Sequence, residues 1–84
     1  MTNYPVRGIY QHYKGAYYEV LDVARHSETE ESLVVYRALY GEYGLWCRPL
    51  GMFMETVIMD EDHGHEDGNR KAEVARFRLV KAFP

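Results

Sequence analysis

Short runs of tyrosine and β-branched residues recur along this chain, each ended by glycine, proline or a polar stretch before a helix could develop, so strands and turns are the available elements. GIYQHYKGAYYEVLDVAR, from Gly8 to Arg25, reads as a hairpin about Lys14-Gly15. In its second arm the apolar set changes face near Asp22, which predicts a bulge or strong bend. The polar stretch 26–31 is a connection, and SLVVYRALY, from Ser32 to Tyr40, is a central strand with apolar residues on both faces. Gly41-Glu42-Tyr43-Gly44 turns the chain into a short strand, Leu45 to Arg48, that Pro49 stops. Leu50 to Met54 has the length of one helical or 3₁₀ turn, and Glu55 to Met59 extends again. A polar loop over 60–71 leads into a final strand over 72–80. The expectation is one mainly β domain, a small SH3-like barrel of about five or six short antiparallel strands.

At 84 residues there is room for a single core. The composition, 46% hydrophobic and 27% charged, is too apolar for disorder. Eight tyrosines suit a thin β-structure, where a large ring can be half buried and its hydroxyl still partnered. A net charge of −3 supplies no global field for nucleic acid, which makes that partner an unfavoured one. Cys47 is the only cysteine, so no intrachain disulfide forms, and no apolar run reaches the ~20 residues of a membrane helix. A cytoplasmic location without membrane contact is expected.

The ordered string Tyr13-Lys14-Gly15, Tyr17-Tyr18-Glu19-Val20, Ala24-Arg25-His26-Ser27-Glu28-Thr29, Val34-Val35-Tyr36-Arg37, Leu39-Tyr40-Gly41, Trp46, Arg48-Pro49 and Met52-Phe53 resembles the bacterial domain-of-unknown-function family 1653, over about residues 8–59. Arg76-Phe77 is similar to the Arg-Phe pair that closes many members. The resemblance implies a small bacterial β-barrel and brings no activity, substrate or cofactor with it. Asp22 stands where the family more often has glycine, Cys47 where valine is common, and the acidic histidine loop is longer than the usual connection.

Among candidate sites, His26, Glu28, Arg37 and Arg48, with Tyr40 and Trp46, would form a groove in which arginine forks meet a carboxylate or phosphate and aromatic faces stack. The competing reading pairs Glu28 with Arg37 or Arg48 and uses the rings as core. His63 and His65 with Asp60, Asp62, Glu66 and Asp67 offer metal ligands, but a calcium loop starting at Asp60 would need glycine where His65 stands and glutamate where Lys71 stands. Cofactors are therefore expected to be none. Cys47, Ser27 or Ser32 with His12 or His26 lacks the fixed base and oxyanion hole of a nucleophilic enzyme, and Cys47 reads as a packing residue. Arg70, Lys71, Arg76, Arg78 and Lys81, with Phe77 and Phe83, form a basic strip whose field the adjacent acidic loop opposes. The preferred reading is a non-catalytic module for a small anionic ligand or peptide. A single-stranded nucleic-acid-binding barrel stands second, and a small enzyme built on His26, Ser27 and Glu28 third. An open sheet edge and the apolar Met52-Phe53-Met54 turn are compatible with a homodimer.

Overall fold

The computed structural model describes residues 5–60 and 71–84. Its elements are β1 (Gly8–His12), β2 (Tyr17–Arg25), β3 (Ser32–Ala38), β4 (Leu45–Pro49), α1 (Leu50–Met54), β5 (Thr56–Asp60), β6 (Lys71–Ala75) and β7 (Phe77–Ala82). Five strands form one antiparallel sheet in the order β4-β3-β2-β1-β7, while β5 and β6 pair as a separate hairpin.

The predicted hairpin about Lys14-Gly15 is present. Gly15 adopts φ +112, a region where a side chain would be strained, and its N–H donates to the His12 carbonyl at 2.7 Å. The bulge is present as well: the β2–β3 register shifts between Val20 and Asp22. Val20 lies opposite Tyr36 and Val23 opposite Val34, so the extra residue restores apolar side chains to the core face after the alternation has changed parity.

One face of the five-stranded sheet carries the core. Tyr10, Val20, Val34, Tyr36 and Phe77 project from it, and Phe53 is delivered onto it by α1, which packs on β3 and β4. Phe53 is 1% exposed and lies nearly parallel to Phe77, with ring centroids 4.2 Å apart; Tyr10 meets it edge-on at 5.6 Å. Burying such a side chain contributes about 1.5–3 kcal/mol, and each aromatic pair about 0.5–1.5 kcal/mol more.

Two expectations need correction. The sheet is not a closed barrel, because β4 and β7 both end as edges rather than pairing with each other. The rings of Phe53, Phe77, Tyr36 and Tyr18 fill the concave side, so closure is made by side chains and α1 instead of a strand ladder. The segment read as one final strand over 72–80 is two strands in two sheets, separated at Arg76. The Arg76 N–H donates to the Glu55 carbonyl (3.0 Å) at the root of the hairpin, whereas its own carbonyl accepts from Tyr13 N–H (2.9 Å) beside β1. The chain changes sheets within that one residue.

Candidate functional site

Alternation along the strands determines what meets on the concave face. In β3 the buried Val34 and Tyr36 lie directly opposite Arg48 and Trp46 of β4, so those two side chains share the core side. In β1, Tyr10 pairs with Tyr18, and His12, two residues on, pairs with Phe77. The result is a half-open aromatic floor: Tyr18 is 5.4 Å from Tyr36 and 5.5 Å from Phe77, and His12 meets Phe77 at 4.9 Å.

Arg48 reaches across this floor from one edge of the sheet to the other. Its guanidinium carbon lies 5.6 Å from the centroid of the Phe77 ring, and its Nε–H donates a long hydrogen bond of 3.4 Å to the Tyr36 hydroxyl. Among the described residues the salt bridges join Arg25 to Glu30 and Arg76 to Glu55, and no carboxylate faces Arg48. The Tyr18 and Tyr40 hydroxyls hydrogen-bond to each other at 2.8 Å. Burial, that bond and the neighbouring phenols push Tyr18 up to about 12, so it remains a neutral phenol.

His12 senses the field at the site. Burial lowers its pKa from 6.5, and the positive charges of Arg76, Arg48 and Lys14 lower it further. Its Nδ1 accepts the Lys14 backbone N–H at 3.2 Å, which leaves the proton of the neutral ring on Nε2. Beside it, Gln11, His12, Tyr13, Met59, Val74, Ala75 and Arg78 line an open cavity of about 260 Å³ between β1 and the β5–β6 hairpin. There Arg78 is occupied by Gln11, at 2.5 Å.

The six residues expected to share a groove divide among three places. Arg48, Tyr40 and Trp46 lie on or beside the aromatic floor. Arg37 adjoins Tyr36 in the strand and so projects from the reverse face, where it donates to the Tyr43 carbonyl at 2.7 Å. His26 organises its own connection, its Nδ1 accepting from the backbone N–H groups of Glu28 (3.1 Å) and Thr29 (3.3 Å), while the Glu28 side chain is exposed. The ion pair at that end is Arg25 with Glu30.

Cys47 is exposed on the reverse face of edge strand β4, not packed; among the described residues no element covers β4 there. Of the basic strip, Arg76 is held by Glu55 at 2.6 Å and Arg78 by Gln11, and Arg70 lies outside the described residues. The candidate metal ligands Asp62, His63, His65, Glu66 and Asp67 also lie outside them; among the described residues no group of metal-ligating side chains occurs. His12, Tyr18 and Phe77 join the floor although they are not in the expected groove. Their signal is the shared parity of Tyr10 and His12, usable only once Tyr10 is registered opposite Tyr18.

These features define an open antiparallel β-sheet domain with an arginine laid over an aromatic floor. A family profile described as a protein of unknown function, DUF1653, matches residues 8–79, and the chain belongs to that family. The crystal structure of a DUF1653 protein from Bordetella bronchiseptica is similar to it, with 38% identity, a TM-score of 0.68, and coverage of 93% of this chain and 90% of that one. No curated protein matches. Among the described residues, no helix is long and apolar enough to cross a membrane.

Proposed function

We propose that this DUF1653 chain is a non-catalytic binding module whose aromatic floor takes a small ligand, or the tip of a peptide, bearing an anionic group. The observation that carries this reading is Arg48: a half-buried guanidinium held over Phe77 with no facing carboxylate among the described residues, in a chain whose net charge is −3. Its fork would engage a carboxylate or phosphate, and the exposed rings of Tyr40 and Trp46 would cover a planar body.

The test is thermal shift followed by calorimetry with phosphate, carboxylates, nucleotides and amino acids. Arg48→Ala should weaken binding of the active anion about 10- to 150-fold, the equivalent of ~1.5–3 kcal/mol for a hydrogen bond to a charged group. Arg37→Ala, on the reverse face, should leave it unchanged. If no anion shifts the midpoint, or if both variants respond alike, the reading fails.

A further inference from the structure

His12 on β1 and Arg48 on β4 come to the same ring from opposite sides of the floor. Phe53 stacks on one face of Phe77 at 4.2 Å, and what remains of that ring is met by His12, in a T-shaped contact at 4.9 Å, and by the Arg48 guanidinium at 5.6 Å. The turn after β1 fixes the imidazole. Its Nδ1 is committed to the Lys14 N–H at 3.2 Å, so Nε2 carries the proton of the neutral ring, and among the described residues no acceptor meets it.

The charges that face His12 from its neighbours are all positive: Arg76 at the β6–β7 junction, Arg48 on β4 and Lys14 in the hairpin turn. Arg76 is held by Glu55 at 2.6 Å, and Lys14 lies by the Tyr13 ring at 5.8 Å, whereas no described carboxylate pairs with Arg48. The ring facing His12 from β2, Tyr18, is a neutral phenol bonded to Tyr40. An imidazole N–H and an unpaired guanidinium beside one ring are donors for one acceptor group.

We infer, building on the anion site at the floor, that His12 and Arg48 hold the same group, a dianion of the phosphate or sulfate type, and that the imidazole takes up a proton as that group binds. A monoanion is matched by Arg48 alone. A dianion leaves one charge over, and a proton on His12 balances it. In the free chain burial and the three cations hold His12 below 6.5, so its ring is neutral at neutral pH. A dianion in the Arg48 fork reverses the local field and raises that value, and by linkage a lower pH must tighten binding.

The probe is inorganic sulfate, a dianion throughout the range in which histidine titrates, added to the whole chain at constant ionic strength. Calorimetry in two buffers of unlike ionisation enthalpy should show proton uptake on binding. Affinity should rise as pH falls, by up to about tenfold per pH unit between the bound and free midpoints of His12. His12→Asn, which keeps an acceptor for the Lys14 N–H, should bind more weakly through Arg48, with no proton uptake and an affinity level in pH. Without sulfate, Arg48→Ala should move the His12 midpoint, followed by NMR, up toward 6.5.

Sulfate bound without proton uptake, or uptake that persists in His12→Asn, overturns the inference. So does Arg48-dependent binding of a carboxylate with none of sulfate. In each of these cases an anion that still depends on Arg48 leaves the floor as a binding site, whereas both fall if no anion binds at any pH. Should His12→Asn not fold, the wild-type ring decides: a His12 midpoint that sulfate does not raise separates His12 from the Arg48 site.

Discussion

Replacing Gly8 by alanine should destabilise the protein, although the same change at Gly51 should stabilise it. Gly8 is buried in β1 opposite Val20 on one side and Ala82 on the other. A Cβ built there overlaps the Lys81 carbonyl oxygen and stands 3.0 Å from Ala82 Cα. Both neighbours are backbone, so the strand itself would have to move away, and overpacking of this kind costs about 1–3 kcal/mol. In a domain of this size each kcal/mol moves the midpoint about 4–8 °C, so the fall should be roughly 4–24 °C. At Gly51 in α1 a Cβ meets nothing within 4 Å, and alanine should gain about 0.5–1 kcal/mol in a helix. Urea and thermal unfolding of both variants beside the wild type would read the pair of signs. If Gly8→Ala is as stable as the wild type, β7 does not cross β1 as closely as described and the reasoning fails.

Phe53→Ala removes the ring stacked on Phe77 and should cost about 3–5 kcal/mol, a large part of the ~4–13 kcal/mol typical of a domain this long; a urea midpoint near the wild-type value would count against Phe53 as the centre of the core. His12 has a folded pKa below its unfolded value of 6.5, so the unfolded chain takes up its proton first and stability falls as pH drops through 6.5, until the folded pKa is passed. His12→Asn, which keeps an acceptor for the Lys14 N–H, should flatten that part of the urea-stability curve, and an unchanged slope would show that His12 is not its source.

Much of the strand plan was readable because it is a local property. Gly15 between two aromatic runs marks a turn, and the parity change at Asp22 marks a bulge whatever the strands pack against. That β4 and β7 are the strands left unpaired is not a local property, since whether they meet depends on how much room Phe53, Phe77 and Tyr36 take on the concave side. The division at Arg76 left no trace either. Alternation runs through Val74, Arg76 and Arg78 without interruption, and the change of sheet is recorded only in which carbonyl and which N–H the Arg76 backbone meets. At the candidate site, residue type alone marks Arg48, Tyr40 and Trp46, but it marks Arg37 equally, and only alternation with its neighbour Tyr36 sends Arg37 to the other face. His26 carries no sign in the sequence that its ring nitrogen serves the next turn of its own backbone.

The Glu55–Arg76 contact bears on how this protein tolerates change in length. The two residues are 21 positions apart, yet backbone and side chain both bring them together where the hairpin leaves the main sheet. Whatever chain is spliced between β5 and β6 is therefore tethered at a fixed gate, and its growth is charged only as loop entropy, about 0.6 kcal/mol per doubling. Lengthening the chain between β5 and β6 should leave the floor of rings, which the main sheet and α1 carry, as it is.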